Sequence, residues 1–179
     1  MKILKFIGLG LLFAIVLVLI IALFIPKEIQ YEKSITINAP IEVVWGNVNS
    51  LASLDDWSPW NEKDPYMKKT MSGVDGTVGA KQTWASKVKV VGRGYQEISI
   101  IDPPIYIETN LKFYDPYESE ANGYVKLKET GNNEVVATWG FKSEIPYPFN
   151  IMSLFTNMED MMGDDWNKGL NRLKFLCEI

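Results

Sequence analysis

The sequence predicts an α+β protein in which one curved antiparallel sheet wraps a long C-terminal helix, preceded by one transmembrane helix. Three observations indicate this. Residues 6–25 contain no charged, amide or hydroxyl side chain. From residue 66 to residue 145, alternating apolar and polar residues form about six segments separated by turn residues. Apolar residues then recur every three or four positions over 151–177. That pattern is typical of an amphipathic helix that covers the apolar face of a sheet.

Residues 6–25 are long enough to cross a bilayer, because a helix of this length extends roughly 30 Å at about 1.5 Å per residue. Lys2 and Lys5 precede the segment, whereas the charges just after it cancel. The positive-inside rule therefore predicts a cytoplasmic N-terminus and an extracytoplasmic domain, periplasmic or at the cell surface in a bacterium. Residues 23–26 are bulky where a signal peptidase needs small residues, which favours a retained anchor over a cleaved signal.

The predicted organisation has four parts. They are a cytoplasmic tail over 1–5, a transmembrane helix over 6–25, a short linker over 26–30 and one domain over 31–179. A domain of about 150 residues is large enough to bury a substantial core. The linker is so short that we expect the domain to stay within roughly 15 Å of the bilayer.

Composition excludes several classes of function. The chain carries 18 basic and 22 acidic residues, a net charge of −4, which is unfavourable for binding nucleic acid. It has no histidine, and its single cysteine is Cys177. Nucleophile pairs that need histidine, imidazole zinc sites and intramolecular disulfides are therefore excluded. We predict no cofactor and no metal site, and we expect Cys177 to be a buried apolar residue.

The elements follow in order from the same patterns. A half-buried strand is expected over 31–38, two short helices over 41–48 and 51–56, and a break at Trp57-Ser58-Pro59-Trp60. The later strands are predicted over 67–71, 79–86, 87–101, 105–113, 120–129 and 134–143. Turns are predicted at Asp75-Gly76, Pro103-Pro104, Asp115-Pro116 and Gly131-Asn132-Asn133, and the long helix over 151–177.

Several short motifs suggest a family. They are Ile35-Thr36-Ile37-Asn38-Ala39-Pro40 leading into Val43-Val44-Trp45, then Trp57-Ser58-Pro59-Trp60, Thr138-Trp139-Gly140-Phe141, and Gly169-Leu170-Asn171-Arg172-Leu173-Lys174. In this order, over about 150 residues, the chain resembles the START-like (SRPBCC) superfamily, which includes the Bet v 1 allergens and bacterial polyketide cyclase/dehydrase-like proteins. The resemblance implies a helix-grip fold with an apolar cavity between sheet and terminal helix. It also implies binding of lipids, sterols or polyketides, with catalysis in a minority of members. The membrane anchor departs from the many soluble members.

The candidate cavity-lining residues are aromatic and aliphatic side chains on the predicted concave face, together with methionines of the terminal helix. They are Trp45, Trp57, Trp60, Trp84, Ile107, Leu111, Phe113, Trp139, Phe141, Phe155, Met158, Met161, Met162 and Trp166. Methionine adapts to ligands of variable shape, but for any single methionine the sequence favours filling a solid core over lining a cavity. Trp57 and Trp60 could plug one end of the barrel, form the mouth of a pocket or touch the bilayer interface.

An enzyme would need an acid, a base or an anion-binding group inside the cavity. The sequence offers Tyr95, Tyr114, Tyr124, Asp102, Glu108 and Arg93, none of them in a distinctive motif. Each is better interpreted as a solvated strand residue. The acidic pairs Asp55-Asp56, Glu159-Asp160 and Asp164-Asp165 lack a metal-site pattern and are interpreted as capping or solvated acids.

The sequence therefore favours a non-catalytic, membrane-anchored protein that holds a hydrophobic small molecule or lipid between sheet and helix. The partners expected are that ligand and, through residues 6–25, the membrane. Two alternatives stay open: a cyclase- or hydratase-like enzyme that works without histidine, and a module that docks another envelope protein.

Overall fold

The computed structural model describes residues 2–115, 117–131 and 133–179, so Met1 and the breaks predicted at Pro116 and Asn132 lie outside the described residues. The chain divides into two compact units. The first, the anchor unit, joins the N-terminal residues through Ile29 with Glu144–Asn157. The second, the sheet unit, joins Gln30–Ser143 with Met158–Ile179. The residues that follow the last strand, 145–157, thus group with the N-terminal helix.

The anchor unit contains helix α1 (Lys2–Leu23) and a 3₁₀ helix (Phe149–Phe155). From Lys5 to Leu23, α1 is long and apolar enough to cross a membrane. Over residues 6–23 its apolar side chains are almost all exposed, and Ala22 is the buried exception near its end. Only four residues separate α1 from the first strand, which begins at Glu28, inside the segment predicted as a linker.

The sheet is formed by seven antiparallel strands in the order β1-β7-β6-β5-β4-β3-β2, so strands that follow one another from β2 to β7 are also neighbours in space. The strands are β1 (Glu28–Ile37), β2 (Lys68–Ser72), β3 (Lys81–Ala85), β4 (Arg93–Asp102), β5 (Tyr106–Phe113), β6 (Ser119–Gly131) and β7 (Glu134–Glu144). The helices of the sheet unit are α2 (Ile41–Gly46), α3 (Leu51–Trp57), α4 (Trp60–Lys63) and α5 (Met158–Cys177). The predicted fold class is confirmed.

The core lies between the sheet and the helices that cover it. Ile107, Val125 and Val135 are buried on the strands, and they belong to one apolar cluster with Leu51 of α3 and Leu173 of α5. Helix α5 buries one stripe at three- and four-residue spacing, as the sequence predicts. Cys177 belongs to that stripe and is buried.

Two element boundaries differ most from the prediction. Residues 87–92, expected to start a strand, form a tight loop in which the amides of Val91 and Gly92 both donate to the carbonyl of Val88. Gly92 has φ +61°, and a Cβ there would lie 2.3 Å from the carbonyl oxygen of Asp115, so only glycine fits. The terminal helix begins at Met158 and not at residue 151, because Thr156 has extended backbone (φ −106°, ψ 119°) that interrupts the helical period.

Candidate functional site

A cavity of about 410 Å³ lies within the sheet unit, bounded by strands of the sheet and by helices α3, α4 and α5. Most of the predicted lining residues contribute to its wall. Ten of the fourteen do so, namely Trp57, Trp60, Trp84, Ile107, Leu111, Phe113, Trp139, Phe141, Met162 and Trp166. The side chains of the described residues therefore leave a cavity between sheet and helix.

The other four predicted residues do not line this cavity. Trp45 lies on α2 and packs against the apolar core. Phe155 belongs to the 3₁₀ helix of the anchor unit, and Met161 is exposed on α5. Met158 is the first residue of α5 and lies one turn before the first lining residue of that helix. Phe155 was included because the prediction extended a single helical period across the break at Thr156.

Aromatic rings form one end of the cavity. The indoles of Trp139 and Trp166 stack with ring centroids 4.2 Å apart and planes at 15°. Trp57 meets Trp139 edge to face at 4.9 Å, and Phe141 meets Trp166 in the same manner at 6.5 Å. Such arrangements are the favourable geometries for aromatic pairs and hold the rings in fixed positions.

The indole N–H groups of three lining tryptophans are already paired with backbone carbonyls. Trp57 donates to Asn47, Trp84 to Val91 and Trp166 to Trp139, at 3.0 Å, 3.2 Å and 3.2 Å. Their polar atoms are thus satisfied within the protein, and the rings present apolar surface to the cavity. This favours an apolar occupant over a hydrogen-bonding one at these positions.

A few polar side chains interrupt the apolar wall on the sheet side. Gln82 and Thr109 are buried, and Gln96 Nε2 donates to Thr109 Oγ1 at 2.9 Å. Thr109 in turn donates to the carbonyl of Gly123 at 3.2 Å. An apolar cavity with a small number of placed polar groups is the usual composition of a small-molecule site.

A charged cluster also reaches the wall, formed by Asp55, Asn61 and Lys69. Lys69 Nζ lies 2.6 Å and 2.5 Å from the two carboxylate oxygens of Asp55 and also donates to Asn61 Oδ1. The prediction that Asp55 is a capping or solvated acid is therefore wrong, because the side chain pairs with a strand residue brought near by the β2–β3 hairpin. No sequence motif around Asp55 or Lys69 predicts this pair, because only the fold brings the two residues together.

The cavity reaches the surface beside the 87–92 loop. Val90 and Tyr117 both contribute to its wall, although they are 71% and 83% exposed. Asp115, another lining residue, pairs with Arg93, and this hydrogen bond lowers the pKa of the Asp115 carboxyl. A valine, a tyrosine and an ion pair therefore border the cavity where it reaches the surface.

The candidate catalytic groups are not assembled in the cavity. Of the six, only Tyr124 contributes to the described wall. Its hydroxyl donates to Glu32 at 2.5 Å and accepts from Gln30 at 2.6 Å. Burial and the bond to Glu32 raise the pKa of Tyr124, which makes the phenol a weaker acid. Glu108 accepts a hydrogen bond from Tyr106 and does not line the described wall.

Comparisons with known proteins bear on the fold. No protein-family model matches the sequence, and no curated protein matches it. Solved structures do match. A protein from Nitrosospira multiformis is 17% identical with a TM-score of 0.59, covering 83% of this chain and 96% of that one. The Aha1 dimer from Colwellia psychrerythraea is 15% identical with a TM-score of 0.54, covering 84% and 97%. Ara h 8.0201 is 10% identical with a TM-score of 0.53, covering 82% and 97%. At these identities the likeness shows the fold alone, which is of the Bet v 1-like helix-grip type.

Proposed function

We propose that this chain is a membrane-anchored binding protein that holds a hydrophobic small molecule or a lipid in the cavity between sheet and C-terminal helix. The observation that carries the proposal is the open cavity of about 410 Å³ with its wall of tryptophan, phenylalanine and methionine side chains. Ligand sites commonly measure about 300–1,000 Å³. Each Å² of apolar ligand surface removed from water stabilises the complex by roughly 25 cal/mol.

The polar wall residues favour a ligand with one polar group. Lys69 and Asp55 can exchange part of their mutual pairing for bonds to a carboxylate, hydroxyl or amide of the ligand. Gln96 and Thr109 offer neutral partners along the sheet. A saturated hydrocarbon would leave these positions unused, whereas a fatty acid, sterol or similar amphiphile would be oriented by them.

The anchor supports the lipid phase as the source of the ligand. Helix α1 is long and apolar enough to provide the span, and by the positive-inside rule Lys2 and Lys5 favour a cytoplasmic N-terminus. The domain then lies on the opposite side of the membrane. Only four residues connect the end of α1 to strand β1, so the tether is short.

The alternative as an enzyme has weaker support, because most ionisable groups of the described wall are already paired. Tyr124 donates to Glu32, Asp55 pairs with Lys69 and Asp115 pairs with Arg93. Tyr117 is 83% exposed. The other alternative, a module that docks another envelope protein, remains a prediction. No residue of the described cavity wall supports it.

Photocrosslinking tests the proposal. The full chain is reconstituted in phospholipid nanodiscs that contain a fatty acid with a diazirine in its acyl chain, and crosslinked peptides are mapped by mass spectrometry. We expect adducts on the wall, at peptides carrying Trp84, Phe113 or Met162, as well as on α1. Adducts confined to residues 6–25 would refute binding in the cavity.

A cavity-filling variant and its matched control sharpen the result. Leu111→Trp places a larger side chain on the wall, whereas Asn110→Trp changes the adjacent exposed residue on the other face of β5. Leu111→Trp should lose the wall adducts and keep those on α1. Asn110→Trp should keep both.

A further inference from the structure

Residues 145–157, here called the uncharged segment, carry no Asp, Glu, Lys or Arg. They connect β7 to α5 and include the 3₁₀ helix. Large apolar side chains of the segment point outward, with Phe149 62%, Met152 58%, Leu154 60% and Phe155 86% exposed. A run of this kind on a water-facing loop would expose a contiguous apolar patch, which marks an interaction site.

The uncharged segment is attached to the end of α1 within the anchor unit. Asn150 Nδ2 donates to the carbonyls of Ala22 and Ile25, at 2.7 Å and 2.8 Å. Tyr147 donates through its hydroxyl to the carbonyl of Leu19 at 3.3 Å. Asn150 is fully buried although it is polar. Its amide therefore satisfies carbonyls that the end of a helix leaves without intrahelical donors.

This attachment fixes the depth of the uncharged segment relative to the span. Leu19 and Ala22 lie near the C-terminal end of the apolar helix, and Ile25 follows two residues after it. A span of 19 residues is about as long as the hydrocarbon core is thick. Groups bonded there lie where the span leaves the core. Unpaired helix carbonyls are costly at that depth, so the Asn150 amide has a specific reason to be there.

We propose that the uncharged segment lies in the bilayer interface beside the exit of α1, with Phe149, Met152, Leu154 and Phe155 in contact with lipid. The inference rests on the anchoring role of α1 in the proposed function. The occupant of this surface is the lipid of the leaflet at the C-terminal end of α1. The segment is hydrogen-bonded to the end of the apolar span, and Tyr147 has the amphipathic side chain typical of this zone. Because the segment is uncharged, its insertion does not depend on anionic lipid.

Depth-dependent quenching of a fluorophore on the full chain tests the proposal. Single cysteines at Phe155→Cys, Leu12→Cys and Lys89→Cys are labelled with an NBD maleimide in phosphatidylcholine nanodiscs. Leu12 lies mid-span, and Lys89 is a charged, exposed position of the 87–92 loop. The native Cys177 is buried and its pKa is raised to about 11, so the unsubstituted chain supplies the labelling blank.

Two quenchers are compared: phosphatidylcholine with a nitroxide near or far from the headgroup, and aqueous iodide. We expect the shallow nitroxide to quench the Phe155 label, while iodide does not. The Leu12 label should be quenched by the deep nitroxide. The Lys89 label should be quenched by iodide. A label at Phe149→Cys should be quenched in the same way as the Phe155 label. This second position shows that the result does not come from a local distortion caused by one substitution.

The outcomes distinguish the interfacial placement of the uncharged segment from the membrane-spanning role of α1. If the Leu12 label is quenched by lipid while the Phe155 and Phe149 labels respond to iodide as fully as the Lys89 label, the interfacial placement is wrong and the anchor stands. If the Leu12 label is itself quenched by iodide, the anchor is wrong and the inference fails with it. Quenching of the Phe155 label that requires added anionic lipid would also overturn the proposal.

Discussion

The indole rings of Trp139 and Trp166 lie nearly parallel at 4.2 Å, and this contact exists because position 169 of helix α5 has no side chain. A Cβ at Gly169 would lie 2.7 Å from a ring carbon of Trp139 and 3.4 Å from Pro59. The glycine therefore lets strand β7 and helix α5 approach closely at the aromatic end of the cavity. The ring it accommodates also contacts Trp57, so the ring has little room to move.

Gly169→Ala should lower the free energy of unfolding, although alanine is the better helix former. The intrinsic gain is about 1 kcal/mol. Overpacking against a ring fixed by two aromatic partners costs about 1–3 kcal/mol, and we expect this cost to prevail. Urea unfolding followed by tryptophan fluorescence measures the difference. Gly46→Ala in α2 is the matched control, because a Cβ there meets nothing within 4 Å. Equal effects of both substitutions would contradict this account.

Asn150→Asp should release the uncharged segment from the end of α1. The substitution replaces the amide donors with a carboxylate that faces the carbonyls of Ala22 and Ile25. Asn150 Oδ1 has no hydrogen-bond partner among the described residues, so the substitution gains nothing at that atom. Hydrogen–deuterium exchange of the full chain in nanodiscs should show faster exchange in peptides over residues 145–157. Loss of a buried hydrogen-bonding group typically costs about 1–3 kcal/mol, which corresponds to about a 5- to 150-fold change in local opening.

Asn110→Asp is the control for the added charge. Asn110 is exposed, and its Oδ1 accepts from Asn122 Nδ2 at 2.9 Å, a bond that a carboxylate can also accept. Exchange over residues 145–157 should not change in this variant. Unchanged exchange in Asn150→Asp as well would mean that the amide does not hold the segment.

The alternation of apolar and polar residues was enough to predict the sheet and much of the cavity wall, because alternation determines which strand residues share a face. Phe113 of β5 and Trp139 of β7 reach the cavity for that reason. Two features escaped. The Asp55–Lys69 pair joins a helix to a strand that only tertiary packing brings together. The helical period also continues through Thr156, so the apolar residues before it resembled part of α5 although they belong to the anchor unit.

Cys177 should react slowly with thiol reagents in the folded chain and rapidly after unfolding. Burial, followed by the nearby charge of Glu178, raises the pKa of the thiol to about 11. The thiol pKa is higher in the folded state than in the unfolded state, where it is about 8.5. The contribution of the protonated thiol to folding stability is therefore complete below about pH 8.5 and is lost as the pH rises toward 11. Urea unfolding as a function of pH should show this decline, and Cys177→Ala should reduce it. Rapid labelling of the folded chain at neutral pH would contradict the buried placement.

Lys126→Met should raise the pKa of Glu32 toward its ordinary range. The hydrogen bond from Lys126 is the main cause that lowers the pKa of Glu32, and the bond from Tyr124 adds to it. Lys126 Nζ lies 2.7 Å from Glu32 Oε1. Carboxyl ¹³C chemical shifts of Glu32, followed from neutral to acidic pH, measure the change. Lys128→Met is the matched control, because Lys128 lies two residues along the same strand and has no part in the Glu32 shift.

Lys126→Met should also change how the free energy of unfolding depends on pH in the acidic range. A carboxyl whose folded pKa is lowered contributes stability above its unfolded pKa, and that contribution is lost as the pH falls through the folded value. Lys126→Met removes the largest cause of the lowering, so its free energy of unfolding should fall less steeply between neutral and acidic pH than that of the native chain. Lys128→Met should keep the native slope. A slope that changes equally in both variants would mean that the general loss of a positive charge acts here, and not the Lys126–Glu32 contact.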